Sequence, residues 1–285
     1  MASARTIEDL EPNEKFISLY NFAVGLGLDP NTTAELITDV LQELDPLKEI
    51  EIDLFDELLK ANNILIAGAT GSGKSVLLNG FIVSALEKYG LSCMFAMIDP
   101  KRVELASYKK IPQTVSFTDD VTKAVNVLDD CLKIIENRYK LMTKRKEKTY
   151  SGIPFFIIVD EFPALLYRDK KPILDRLQNI ARICRASNTH LICCSQDTTK
   201  AVLQGVKGCL SCKVALKVAN KQESRNIIGV AGAETLPRYG MCILDTGIEQ
   251  NKVKVPYTDD NKINEVVNRF KSGYTLLDRI TNKVY

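Results

Sequence analysis

Ile64-Leu65-Ile66-Ala67-Gly68-Ala69-Thr70-Gly71-Ser72-Gly73-Lys74-Ser75-Val76-Leu77-Leu78 decides the fold. The first four residues form an apolar run that reads as a buried strand. The octet Gly68 to Ser75 matches the phosphate-loop pattern G-x-x-x-x-G-K-[ST], and Val76-Leu77-Leu78 opens a helix. Strand, loop and helix in that order are the context the motif requires. The chemistry explains the residue types. Gly71 and Gly73 let backbone N–H groups turn inward around phosphates, and the helix that follows aims its positive end at them. The nucleotide-binding set predicted here is Gly68, Ala69, Thr70, Gly71, Ser72, Gly73, Lys74, Ser75 and Val76. Lys74 is placed on the β- and γ-phosphates of ATP and the Ser75 hydroxyl on Mg²⁺.

A phosphate loop needs a second element to hold the metal and prepare water. Pro154-Phe-Phe-Ile-Ile-Val-Asp160-Glu161 is a buried-strand run ending in two carboxylates. Asp160 suits Mg²⁺ and Glu161 suits the base that orients the attacking water. Successive residues of an extended strand point to opposite sides, so the two acids need not compete for one task. The run Leu191-Ile-Cys-Cys-Ser195-Gln196 is expected beside that strand. Parallel sheets place ligand groups at strand carboxyl ends, so Gln196 is set to sense the γ-phosphate or the water.

Farther out, apolar runs alternate with amphipathic helices: Cys93 to Ile98, a helix over about 120–144, another over about 172–186, and a closing strand near Met241 to Leu244. That alternation predicts an α/β fold, a mostly parallel sheet covered by helices on both faces. No stretch of about 18 residues lacks a charge, so no transmembrane helix is expected. The start reads without a secretory signal, so a cytoplasmic protein with its eight cysteines reduced is expected. Cys209-x-x-Cys212 with Cys193-Cys194 could bring four thiolates to zinc, but Cys193-Cys194 is not a matched knuckle.

The 285 residues carry 38 Lys+Arg and 36 Asp+Glu, a net charge of +2 that excludes a polycationic or an acidic disordered protein. Near-neutrality hides a split. Residues 1–61 hold 14 acids and 4 bases, net −10, which leaves +12 for the remainder. The first part reads as a small acidic helical appendage, with Leu36, Ile37, Val40, Leu41 and Leu44 at helical period. Residues 62–250 read as the nucleotide-binding domain and 251–285 as a C-terminal extension. A basic body suggests a polyanionic partner, and Lys144-Arg-Lys-Glu-Lys148 reads either as a phosphate-binding segment or as a solvated loop.

Several motifs in register resemble one family. Beside the phosphate loop stand Ile98-Asp99-Pro100-Lys101-Arg-Val-Glu104-Leu105, Val159-Asp160-Glu161, Arg185-Ala186 with His190-Leu191, Lys207, Ser224-Arg225 and Gly232-Ala233-Glu234. Together they resemble the motor domain of FtsK/SpoIIIE DNA translocases, P-loop ATPases of the FtsK/HerA group, over about residues 62–246. The resemblance implies a RecA-like ATPase that forms a hexameric ring and pumps double-stranded DNA. It implies that Arg185 reaches the neighbouring subunit's nucleotide and that Asp99-Pro100-Lys101 is structural and close to the site; on physical grounds alone Arg138, Arg182 and Arg225 are rivals to Arg185, each equally readable as a surface or interface salt-bridge residue. It also marks departures. Asp197-Thr198 follows Gln196 where the family has Arg-Pro, Lys213 stands for an Arg, and Gly240-Met241 for Gly-Asp.

The expected catalytic set is thus Lys74, Asp160, Glu161, Gln196 and Arg185, with Ser75 and Asp160 on the metal. The expected function is an ATP-driven translocase of double-stranded DNA in transfer, segregation or packaging, of the type found on plasmids, conjugative elements or phages. The acidic head offers a docking site for a protein partner. Two alternatives stand beside it: a coupling or secretion ATPase moving protein or nucleoprotein, and a non-motor nucleotide switch or adaptor.

Overall fold

The computed structural model describes residues 47–281, with side chains through residue 271. The helical stripes expected before residue 47 lie outside the described residues. Strands β1 (Lys48–Ile50), β2 (Asn63–Ala67), β3 (Met94–Ile98), β4 (Thr114–Thr118), β5 (Phe155–Val159), β6 (Thr189–Ser195), β7 (Cys212–Ala215), β8 (Met241–Asp245) and β9 (Gln250–Lys254) form one sheet. Its order is β1-β9-β8-β7-β2-β6-β5-β3-β4. From β7 to β4 all neighbours are parallel, whereas β8 is antiparallel to both β7 and β9.

Every residue of β2, β5 and β6 is buried, as strands covered on both faces must be. The covering helices are α1 (Leu54–Lys60), α2 (Lys74–Tyr89), α3 (Ala124–Arg145), α4 (Phe162–Ile183), α5 (Lys200–Lys207), α6 (Lys221–Ile228) and α7 (Asp260–Thr281). β5 pairs in parallel with β6, with Val159 opposite Cys193, so the strands leading to Asp160 and Gln196 are neighbours as expected.

Helix α4 begins ten residues before the expected Pro172. Pro163 sits in its first turn, where the missing N–H costs nothing, and the helix breaks at Asp169 (φ −132°, ψ 62°) just before Pro172. Strand β4 was not foreseen, because Thr114-Val-Ser-Phe-Thr118 is short, polar in alternate positions and only partly buried at the sheet edge.

The expected boundary at residue 61 is displaced. The compact body starts at Glu49. Helix α1 is capped by Asp53, whose side chain accepts the Asp56 N–H at 3.0 Å, and it buries Leu54, Phe55, Leu58 and Leu59. The Phe55 ring lies against Gly80 of α2, so close that a Cβ there would fall 2.3 Å from the ring. Each of those side chains stabilises the body by about 1.5–3 kcal/mol. The acidic outer face of α1 had masked its apolar inner one. Residues 1–48 then carry nine acids and three bases, so the split narrows to −6 against +8.

The expected extension from 251 is likewise part of the body as far as its side chains are described. β9 pairs with β8, and Ile263, Val266 and Val267 of α7 are buried in the core shared with α2. No helix among the described residues is long and apolar enough to cross a membrane.

Candidate nucleotide site

The phosphate loop is strung between two strands. The Gly68 N–H donates to the Ser195 carbonyl at 3.3 Å and the Ala69 N–H to the Lys217 carbonyl at 2.9 Å, which anchors it to the ends of β6 and β7. At Gly68 a Cβ would lie 2.7 Å from Leu216 Cβ, so only glycine fits between the strands. Gly73 caps α2 in the left-handed region (φ 93°), which turns the chain into the helix. Val76 follows in the first turn of α2, beside Lys74 and Ser75.

Lys74 is 3% exposed, and its ammonium donates to Asp160 Oδ1. Burial works against that charge, yet the surrounding Cys194, Asp160 and Glu161 groups outweigh desolvation and hold Lys74 above the usual lysine value. Asp160 is wholly buried, and its Oδ2 has no hydrogen-bond partner. The Ser75 hydroxyl donates to Glu104 Oε1. An orphaned carboxylate oxygen carries a desolvation penalty that a bound cation relieves. Oxygen donors from Asp160 and Ser75, with Glu104 bonded to Ser75, suit a hard cation such as Mg²⁺.

Glu161 is not on an extended strand. β5 ends at Val159, and Glu161 takes φ 51°, ψ 55° as the residue preceding α4. The left-handed turn, rather than strand alternation, separates the two acids, and strain of this kind is held in place only by surrounding structure. The Glu161 carboxylate accepts from Lys101 Nζ at 2.9 Å and from the Gln196 N–H at 3.2 and 3.3 Å. The Gln196 side chain is nearby too, its Oε1 accepting from Lys101 at 2.7 Å and from the Thr70 hydroxyl at 3.4 Å. Lys74, Asp160, Glu161 and Gln196 therefore converge at the carboxyl ends of β2, β5 and β6.

Arg185 does not join them. It is exposed in the turn before β6, against Asn62, Asn63 and Cys212, at the amino ends of the parallel strands. Of its rivals, Arg138 is buried, donates to the Ser187 and Asn188 carbonyls at 2.8 Å, and lies over the Tyr150 and Phe155 rings. That is a structural role. Arg182 is exposed in the last turn of α4, and Arg225 is exposed on α6. Cys193 and Cys194 are successive buried residues of β6, and among the described residues no three His, Cys, Asp or Glu side chains group as metal ligands.

The family departures have local explanations. Asp197 accepts from Tyr167 Oη at 3.1 Å and the Thr199 N–H at 2.9 Å. Burial works against its charge, but these hydrogen bonds hold the carboxyl below the usual range. Lys213 pairs with Asp245 across β7 and β8 at 3.0 Å.

Glu104 and Arg238 were not singled out from sequence as parts of the site, and Lys101 was expected only close to it, through Asp99-Pro100-Lys101. Lys101 and Glu104 ride on a loop turned inward by buried Asp99, which accepts the Leu105 N–H at 3.0 Å. Their signal was a charged hexad directly after an apolar strand. Arg238, before β8, donates to the Gly71 carbonyl at 3.4 Å, and nothing in its sequence neighbourhood marks it.

A mostly parallel sheet with this loop after an inner strand, and a buried lysine–aspartate pair beneath it, defines a RecA-like P-loop NTPase. A model of the FtsK/SpoIIIE family matches residues 48–155 of the chain. The chain is 31% identical over 268 residues to the DNA translocase FtsK of Rickettsia bellii, covering 78% of this chain and 36% of that protein. With the DNA translocase FtsK of Staphylococcus aureus strain Mu50 it shares 30% identity over 282 residues, 90% of this chain and 33% of that one. The chain thus spans about a third of the length of these curated relatives. Among solved structures, the pCW3 conjugation coupling protein TcpA with ATPγS superposes with a TM-score of 0.65 at 21% identity, over 74% of this chain and 65% of that one. The cytoplasmic domain of the Thermomonospora curvata type VII secretion ATPase EccC gives 0.62 at 23%, over 72% and 27%. These two likenesses establish the fold.

Proposed function

We propose that the chain hydrolyses ATP to move double-stranded DNA, in transfer, segregation or packaging, from the cytoplasm. The observation that carries this reading is the convergence of Lys74, Asp160, Glu161 and Gln196 on the phosphate loop, because a carboxylate in reach of the terminal phosphate implies turnover rather than a static switch. Lys74 and the loop from Gly68 to Val76 hold the phosphates. Ser75 and Asp160 would hold Mg²⁺, which when bound neutralises charge on the β- and γ-phosphates. Glu161 accepts a proton from the water whose oxygen attacks the γ-phosphorus as the bond to ADP breaks, and Gln196 reports the terminal phosphate.

Arg185 completes the site of a neighbouring subunit in a hexameric ring. Its place at the opposite end of the strands supports this, since it cannot serve the phosphate loop of its own chain. The DNA substrate rests on the relatives' activity and on the +8 body. The acidic head offers a docking site for a protein partner.

One observation favours a second reading, the movement of protein or nucleoprotein. The loop after Gln196 carries Asp197, an acid where the DNA-pumping family commonly has Arg, and it takes a phosphate-binding charge away from that edge. The deciding measurement is the ATPase rate with and without duplex DNA, on protein of measured oligomeric state. Stimulation that falls steeply with added salt is expected. A rate indifferent to DNA would remove the DNA substrate and leave the second reading.

A further inference from the structure

Lys101 stands where the parts of the hydrolytic site meet. Its ammonium donates both to Glu161 Oε2 at 2.9 Å and to Gln196 Oε1 at 2.7 Å. The Gln196 N–H donates in turn to both Glu161 oxygens, and Gln196 Oε1 also accepts from Thr70 of the phosphate loop. One cation thus links β3, β5, β6 and the loop after β2. Both oxygens of Glu161 have donors before any water is present. The partners differ in mobility: the Glu161 side chain is 8% exposed and fixed on its left-handed turn, whereas Lys101 is 40% exposed on a flexible stem.

We propose that Lys101 senses the terminal phosphate. A nucleoside triphosphate draws Lys101 away from Glu161 and Gln196, and this exchange both fastens the γ-phosphate and releases the carboxylate to the attacking water. The inference rests on the reading of the site as an ATP site. A terminal phosphoryl group carries more negative charge than one carboxylate and offers three acceptor oxygens, so it outcompetes Glu161 for a mobile ammonium. A diphosphate lacks the group that competes. It leaves Lys101 on Glu161, which keeps the base engaged until the right nucleotide arrives and again after the phosphate has left. No bond is made or broken in the exchange; a single cation changes partners.

The distinguishing property is discrimination between tri- and diphosphate, which a purely structural ion pair would not supply. The experiment measures the affinities of the full chain for ADP and for the non-hydrolysable triphosphate AMP-PNP, by displacement of a fluorescent ADP, in wild type, Lys101→Ala and Lys101→Arg. In Lys101→Ala the AMP-PNP affinity is expected to fall about tenfold while ADP stays within about twofold, and Lys101→Arg, which keeps the charge, should recover most of the loss. Retained ADP binding reports that the variant is folded. Equal loss for both nucleotides, or no change for either, overturns the proposal. A wild-type chain that binds neither nucleotide would instead remove the ATP-site reading itself.

Discussion

The two ends of the parallel strands solve the problem of buried polar groups in opposite ways. At the carboxyl ends the groups are ionic and incompletely matched: Lys74 on Asp160, Lys101 shared by Glu161 and Gln196, and Asp160 Oδ2 with no partner. At the amino ends they are matched by backbone carbonyls. Asn63 Nδ2 donates to Ala181 at 2.9 Å, Arg138 to Ser187 and Asn188, and His190 Nδ1 to Ala61 at 2.7 Å. Aromatic faces complete that end, with His190 stacked on Phe156 at 4.8 Å. A bond to a carbonyl is satisfied for good, whereas a cation shared among anions can be re-partitioned when another anion arrives. The same sheet is therefore scaffold at one end and reactive at the other.

Exposed Arg185 and the basic run of Lys144, Arg145, Lys146 and Lys148 are the exceptions at the quiet end. The Tyr150 N–H donates to the Ala186 carbonyl at 2.8 Å, which joins the run to the Arg185 turn. If this end acts only on a neighbour's nucleotide, Arg185→Ala should lower kcat about 10³-fold with little change in ADP affinity. Mixing it with Lys74→Ala should restore turnover, because each inactive subunit supplies what its neighbour lacks. Activity that stays absent in every mixture would show that Arg185 does not act across an interface, and the division between the ends would lose its functional half.

Glu104 sharpens the other end. A hydroxyl that ligates a metal through oxygen still has a proton to place, and Glu104 is where the Ser75 proton goes. Partners of this kind are worth about 10–100-fold in metal affinity. Glu104→Gln is expected to raise the Mg²⁺ concentration for half-maximal ATPase by about tenfold or more, and to weaken ADP binding only when Mg²⁺ is present. An unchanged Mg²⁺ requirement would reduce Glu104 to a loop anchor.

What could be read in advance divides along the same line. The charge-free runs that became β2, β5 and β6 were legible because strands buried on both faces admit no other composition. Asp160 and Gln196 were legible because they end such runs. Glu161 is expected on an extended strand but sits in a left-handed turn, because a left-handed residue leaves no mark when it is not glycine. Lys101 and Glu104 were harder, because their inward course is set by a hydrogen bond from Leu105 to Asp99, a contact between side chain and backbone that no periodicity records. Helix α1 was assigned to the wrong part because Asp56, Glu57 and Lys60 dominate its composition while Leu54, Phe55, Leu58 and Leu59 fix its position.

The smallest effect tests whether the amino end is neutral scaffolding. His190 is the chain's single histidine. Burial pushes its pKa below the ordinary 6.5, the bond to the Ala61 carbonyl partly opposes this, and nearby Arg138 adds to the lowering. The folded chain thus keeps a neutral ring at a pH where the unfolded chain takes up a proton. Stability should be fully present above about pH 6.5 and decline as pH falls through that value, by at most about 1.4 kcal/mol per pH unit for one group. His190→Phe keeps a ring on Phe156 and removes the proton. It should cost about 1 kcal/mol at pH 7, where the Ala61 carbonyl loses its donor, yet flatten the urea midpoint between pH 6.5 and 5. A slope that survives the substitution would remove His190 as its source, and the contrast between the two ends would have to be redrawn.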